Sequence, residues 1–129
     1  MSWQIALRTR LKDDGAVASL VGTKIDWTLR PQGTKPPHVV LTLVTDPRPR
    51  MMKGPIDYRS SRIWIDCIAD SRAKCTQISE AVLAAIEPDG VFYDVRFGPP
   101  NDVTVTDKGA KTETGFVHCD RIECRVWHN

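Results

Sequence analysis

The chain has 129 residues, 41% hydrophobic and 26% charged, a mixture typical of one globular domain over residues 1–129. A formal net charge of +2 gives no electrostatic argument for nucleic acid or an acidic membrane as the main partner. No apolar run approaches the roughly 20 residues of a membrane-spanning helix. No basic stretch followed by an apolar core opens the sequence. We therefore expect folding in a cytoplasm and four reduced cysteines.

Two helices are predicted first. Residues 2–12 form an amphipathic pattern in which apolar residues recur every four positions, and Ser2 can cap its start. Asp13 or Asp14 can cap a second, shorter helix. Gly22 is expected to end it, because glycine is the usual residue at a helix C-terminus.

The next part of the chain predicts three strands separated by two loops. Residues 23–29 alternate with period two, and 38–45 are rich in β-branched residues and apolar on both faces, which favours a central strand. The proline-rich segment 30–37 is predicted to be a loop. Segment 46–55 holds three prolines and one glycine, a composition that predicts neither strand nor helix. Residues 57–69 then predict a long strand.

The C-terminal half begins with the strongest helical pattern, at residues 71–86, which a Pro-Asp-Gly sequence stops. Residues 91–97 predict one strand and 103–106 a short one. Segment 107–115 is polar and typical of a hairpin tip. Residues 116–128 predict the last strand, since apolar and charged side chains alternate along it.

This order predicts the α+β class: an antiparallel or mixed β-sheet of about four to six strands, with a long helix and a short N-terminal helix packed on one face. The shared periodicity of two strands and one helix predicts which side chains fill the core between sheet and helix. The predicted core residues are Ile63, Ile65, Cys67, Ile78, Val82, Ile122 and Cys124.

The four cysteines raise the question of a zinc site. Structural zinc is usually held by pairs of ligands two to four residues apart. Cys67 and Cys75 are eight positions apart, on a predicted strand and a predicted helix. Cys119 and Cys124 are five apart on one strand, so they face opposite sides of the sheet. We therefore expect neither zinc nor a disulfide.

A metal-dependent nucleic-acid enzyme is the alternative from a different functional class. Asp89, Asp94 and Arg96 faintly resemble a nuclease motif in which two carboxylates hold magnesium beside a lysine. The spacing is too short, and Arg96 stands where a lysine is wanted. A guanidinium stays protonated and cannot shuttle a proton. The motif is better explained as a helix stop and a turn.

Covalent catalysis has weaker support. Ser60, Ser61 and the cysteines are possible nucleophiles, but no nucleophile-elbow sequence surrounds any of them. The possible bases are His38, His118 and His128. His118 and Cys119 are adjacent on a strand, so they point to opposite faces and cannot form a dyad. The sequence therefore predicts a protein without catalytic residues and without a cofactor.

The candidate interaction residues lie in segment 46–55 and on the strand that follows. The segment combines stiff prolines, basic residues and two adaptable methionines, which suits a loop that orders against a neighbouring subunit. A basic rim for DNA and a simple solvated loop are the alternatives. A tryptophan between Ile63 and Ile65 is predicted to face outward unless a helix covers it. The candidate residues are Arg48, Arg50, Met51, Met52, Lys53 and Trp64.

The order of several short motifs resembles a known family. They are Leu-Val-Gly-Thr-Lys-Ile at 20–25, Pro-Gln-Gly at 31–33, Pro-Pro-His-Val-Val at 36–40, the long strand at 62–69 and the alanine-bearing helix at 78–86. This order is similar to that of the tail-completion, or tail-terminator, family of phages with long non-contractile tails and of related gene-transfer particles. The resemblance spans almost the whole chain.

The resemblance implies a non-enzymatic structural protein of the virion. Such proteins form a homo-oligomeric ring, commonly a hexamer, on the head-proximal end of the tail tube, where the ring stops tube growth and joins the head. The implied partners are further copies of the chain, the tail tube protein and a head–tail connector or stopper protein. DNA would pass through the ring without sequence-specific binding, and no membrane is involved. Another connector component, a stopper or adaptor, is the alternative within this class.

Overall fold

The computed structural model describes residues 2–28, 36–48, 50–51, 54–55, 59–112 and 115–129. The helices are α1 (Trp3–Asp13), α2 (Gly15–Val21) and α3 (Arg72–Ile86). The strands are β1 (Ile25–Trp27), β2 (His38–Thr45), β3 (Arg50–Met51), β4 (Gly54–Pro55), β5 (Arg59–Ala69), β6 (Gly90–Phe92), β7 (Val95–Phe97), β8 (Asn101–Asp107), β9 (Ala110–Thr112) and β10 (Gly115–His128).

The described strands form one large mixed sheet and one small ladder. The large sheet has the order β1-β2-β5-β10-β7-β6, and β8 and β9 also pair with β10. Strands β1 and β2 are parallel, and the other pairs are antiparallel. The predicted α+β class and the central position of β2 are confirmed. Within the described residues the sheet has eight strands rather than about four to six, because β7, β8 and β9 follow one another along the same side of β10.

The helix starts follow from the capping residues in the sequence. The Ser2 hydroxyl accepts a hydrogen bond from the Ile5 amide, and the Asp14 carboxylate accepts from two amides of the first turn of α2. Ser71 caps α3 in the same way. These side chains satisfy amides that have no partner within the helix. Gly22 ends α2 at φ +64°, a backbone conformation that glycine adopts without steric cost.

The core lies between the three helices and one face of the sheet. Burial alternates along β5 and β10, as expected for strands with a single buried face. All seven predicted core side chains are at most 2% exposed, which confirms the predicted face of each element. Burial of each large aliphatic side chain contributes about 1.5–3 kcal/mol. None of the described helices has the length and apolarity to cross a membrane.

The single strand predicted for residues 91–97 is wrong. The chain forms β6 and β7 instead, joined by a tight turn at Tyr93 and Asp94 with φ +53° and +67°. Two successive positive φ values are the geometry of a two-residue hairpin turn. The usual Asn-Gly or Asp-Gly sequence is missing here, and the Tyr93 hydroxyl is hydrogen-bonded to Asp13 on α1. A tertiary contact therefore supports a turn that the local sequence does not indicate.

Segment 46–55 is not entirely without strands, contrary to the prediction. Arg50 pairs with Pro55 and Met51 with Gly54 in the two-residue antiparallel ladder β3–β4. Proline is tolerated at the edge of a ladder, where its nitrogen needs no partner. Most of the loop predicted at 30–37 lies outside the described residues.

Candidate functional site

The predicted interaction residues divide between two places. Arg48 is exposed just before β3, and Arg50 and Met51 form β3. Met52 and Lys53 lie outside the described residues. Trp64 lies elsewhere, on the sheet face opposite the helices, so the structure does not bring it together with the basic segment.

Asp46 lies in the chain between β2 and the β3–β4 ladder. Its carboxylate accepts hydrogen bonds from Arg48 (3.0 Å), Arg59 (2.9 Å) and the Ser61 hydroxyl (2.8 Å). Burial by itself would raise the pKa of Asp46, but the hydrogen bonds from Arg59, Ser61 and Arg48 outweigh it and lower this pKa. The end of β2 and the start of β5 are thus fixed to each other.

A buried polar chain continues from Asp46 into the core. Ser61 and His128 are both fully buried, and the Ser61 oxygen lies 2.7 Å from Nε2 of His128. The imidazole stacks on the Trp3 indole with ring centroids 4.1 Å apart. Burial lowers the pKa of His128, while a contact with the Asn129 carbonyl opposes the shift. Sequence reasoning named Ser61 and His128 as a possible nucleophile and a possible base, but it did not pair them or include Asp46, because the three residues lie far apart in the chain.

The network has serine, histidine and aspartate, but its order does not suit nucleophilic catalysis. In a catalytic triad the carboxylate orients the histidine, which then takes the serine proton. Here the carboxylate of Asp46 accepts from Ser61 itself, and Ser61 has no exposed surface. Since its one proton goes to Asp46, the serine oxygen accepts from His128. We interpret the three residues as a structural link between β2, β5 and β10.

Trp64 faces outward on β5, as the alternation predicts, but a cation covers its ring. The guanidinium of Arg121, on the adjacent strand β10, lies 4.1 Å from the ring centroid. Arg121 also donates from Nε to Asp66 Oδ1 at 2.8 Å. The hydrogen bond with Asp66 raises the pKa of Arg121. This outer face is therefore a layer of aromatic, acidic and basic groups bonded across strands.

A groove of about 490 Å³ lies where α1 and α3 end beside the β6–β7 turn. Arg10 lines it, with its guanidinium 3.9 Å from the centre of the Phe92 ring and donating to the Pro88 carbonyl. Desolvation lowers the pKa of Arg10, against the attraction of Asp14. The Arg10 cation is thus used in joining α1 to the hairpin.

The cysteines take the positions expected from their spacing. Cys75 donates from Sγ to the Cys67 carbonyl at 3.2 Å, and both are buried. Cys119 and Cys124 pair with Ile68 and Ile63, on opposite faces of β5. Burial raises the pKa of each of Cys119 and Cys124 to about 12, so these thiols stay protonated at neutral pH. Within the described ranges no three potential ligands converge on a possible metal position.

The remaining candidate catalytic groups do not converge either. Asp89 follows α3, and Asp94 occupies the exposed hairpin turn. A buried carboxylate that the sequence did not single out is Asp120. Ser79 donates to it at 3.2 Å, and Arg72 approaches its other oxygen to 2.7 Å as an ion pair rather than an aligned hydrogen bond. Asp120 therefore fastens α3 to β10.

The described residues form a small α+β domain in which polar clusters hold strands and helices together. Its surface presents a basic ladder, a polar sheet face and strand edges. A family model described as "Tail completion protein gp17" matches residues 5–122. The chain therefore belongs to the gp17 tail completion family. It is a structural tail protein and a component of the virion, as the resemblance implied. No curated protein matches the chain.

Two solved structures share the fold. A chain from the "Virion of native gene transfer agent (GTA) particle" superposes with a TM-score of 0.65 at 20% sequence identity, covering 99% of this chain and 96% of that chain. A second structure has a TM-score of 0.64 at 9% identity, covering 98% of this chain and 92% of that chain. At these identities the likeness concerns the fold.

Proposed function

We propose that this chain terminates the tail tube as a homo-oligomeric ring and forms the surface that joins the tail to the head. The family match over residues 5–122 is the observation that carries this proposal. A ring needs two different complementary patches on each subunit, so that each copy contacts the next in the same direction. A hexamer is the size that the resemblance implies. The tail tube protein and a connector protein are the proposed partners, with DNA passing through without sequence-specific binding.

The proposed contacts to the neighbouring subunit or to the tube are made by the basic ladder segment and by the outer sheet face. Arg48 is exposed over 72% of its side chain, although it pairs with Asp46. An exposed pair of this kind contributes at most about 1 kcal/mol, so Arg48 can change partners at little cost. The full proposed set is Arg48, Arg50, Met51, Met52, Lys53 and Trp64.

We further propose that the chain has no catalytic role. The polar groups considered as possible catalytic groups make hydrogen bonds within the fold. Ser61 bonds to Asp46, Ser79 to Asp120, and Cys75 to the Cys67 carbonyl. The assay is incubation of the purified chain with single- and double-stranded DNA and magnesium. Specific, magnesium-dependent cleavage would contradict the proposal.

Electron microscopy of particles made without this protein tests the terminator role. Overlong or headless tails are expected, because nothing would stop the tube or join it to the head. DNA-filled heads that leak, beside tails of normal length, would instead indicate a stopper or adaptor. Supplying the protein in trans should restore tails of normal length, which controls for effects on neighbouring genes.

A further inference from the structure

The seven-residue strand β8 (Asn101–Asp107) is an open edge of the sheet. It pairs with β10 on one side, and no strand in the described part of the chain pairs with its other side. The other edges among the described strands are shorter. Strands β1, β6 and β9 have three residues each, and at the C-terminal end of β2 only Thr42–Thr45 extend beyond the pairing with β1. Arg8 also donates to the Ile25 carbonyl of β1 at 2.6 Å. Monomeric proteins usually protect long edges with lysine, proline or a covering element. Strand β8 contains neither lysine nor proline.

The backbone register shows which groups of β8 are available. Lys108 donates its amide hydrogen to the Cys119 carbonyl at 2.7 Å. Hydrogen-bonded and non-bonded pairs alternate along an antiparallel ladder. In the same register, Thr106 and Thr104 therefore bond to β10, whereas the amide and carbonyl groups of Val105 and Asp107 point away from it. These groups can pair with an added strand.

The side chains of β8 favour an apolar and basic partner. Val103 and Val105 are 42% and 46% exposed; Val105 lies opposite the buried Ile122, on the face that the helices cover elsewhere. Asp102 and Asp107 flank the valines. Their ion pairs, with Arg125 at 3.4 Å and Arg72 at 3.6 Å, are long and exposed and leave the carboxylates accessible. The strand has two acidic residues and no basic one.

A complementary segment exists in the same sequence. Residues 48–51, Arg-Pro-Arg-Met, have two basic residues, no acidic one and an apolar side chain at the end. Strand β3 within this segment pairs with β4 on one side. Strands β5 and β10 lie between the start of this ladder and β8, so the two regions are separate patches of one subunit.

We propose that β3 of a second copy of this chain pairs with the open edge of β8 and extends the eight-stranded sheet. Two separate, charge-complementary patches make a head-to-tail contact, which closes into a ring when the rotation between subunits allows. The inference rests on the proposed ring and names its interface. The acidic strand β8 of one subunit then lies beside the basic segment 48–51 of the next, so opposite charges meet across the contact.

Reciprocal charge reversal tests the interface. Sedimentation and light scattering of the purified chain at rising concentration, and microscopy of tails, follow ring formation. Asp102→Lys with Asp107→Lys should abolish the assembled species, and Arg48→Glu with Arg50→Glu should do the same. All four changes in one chain should restore it. As a matched control, Glu87→Lys with Asp89→Lys makes the same charge change at an exposed turn and should leave assembly unchanged.

A proline variant tests the backbone pairing itself. Val105→Pro removes an outward amide and should block assembly with little change in far-ultraviolet circular dichroism. Thr104→Pro removes an amide bonded to β10 and should lower the melting temperature as well. The inference is wrong if wild type assembles and the folded charge-reversed or Val105→Pro chains assemble equally well. It is also wrong if the fourfold variant stays dissociated. If wild type forms no ring in solution or on tails, the proposed function itself fails.

Discussion

The link through Ser61 offers the sharpest test of how the fold is held together. Replacing Ser61 with alanine removes one donor to Asp46 and the acceptor of the His128 imidazole, both of which it contacts within 2.8 Å. A hydrogen bond to a charged group contributes about 1.5–3 kcal/mol, and a buried donor left without a partner costs about 1–3 kcal/mol. The two effects share one site and do not add fully. We expect a loss of about 2–4 kcal/mol in the free energy of unfolding.

Urea unfolding followed by tryptophan fluorescence measures this loss, and a decrease of roughly 10 °C in Tm should accompany it. Ser60→Ala is the matched control, because Ser60 is the adjacent residue and therefore lies on the opposite face of β5. It should change the free energy of unfolding by less than about 0.5 kcal/mol. A Ser61→Ala protein as stable as the control would refute the view that this network joins the three strands.

Three further predictions concern the core, pH and the thiols. Ile65→Asp buries an unpaired charge at a fully buried position and should prevent folding. The control Asp89→Asn, at an exposed turn, should fold normally. Soluble Ile65→Asp protein with a cooperative melt would contradict the assigned core. Because the pKa of His128 is lower in the folded chain, the unfolded chain takes up more protons, and stability should decline as pH falls below about 6.5. His128→Phe keeps a ring stacked on Trp3 and should weaken this decline in urea titrations at about pH 7 and pH 5.5; an unchanged slope would refute the assignment. Metal analysis of protein purified without chelator should find no zinc, and about one zinc per chain would overturn this expectation. A thiol reagent should react with Cys124 only when the chain unfolds.

The sequence alone determined the class of the fold and most of its elements. Apolar residues recur every second position in a strand and every 3.6 positions in a helix because one face of each element meets the core. Both recurrences are clear in this sequence. The predicted core face of β5, of α3 and of β10 is the buried one for this reason. The caps at Ser2 and Asp14 were equally readable, because capping is a local interaction between a side chain and amides two or three residues away.

The sequence was less informative where a contact distant in the chain decides the local structure. The turn at Tyr93 and Asp94 has no typical turn sequence and is held from α1 by Asp13. Segment 46–55 contains the ladder β3–β4, which its proline-rich composition does not predict. Its first residue, Asp46, is bonded to Arg59 and Ser61, which lie more than ten residues away in the chain. Local sequence patterns do not include such long-range contacts.

The proposed interaction surfaces were also only partly predictable from the sequence. The composition of residues 48–53, basic with two methionines, was visible in the sequence, and so was the outward orientation of Trp64. The open edge of β8 was not, because whether a strand lies at an edge depends on which strands fail to pair with it. Only the tertiary arrangement shows that β7, β8 and β9 share one side of β10 while β6 covers β7 alone. Alternation of Val and Thr in β8 predicted a strand, but the exposure of its valines follows from where the three helices end on the sheet, a property of packing that no local pattern encodes.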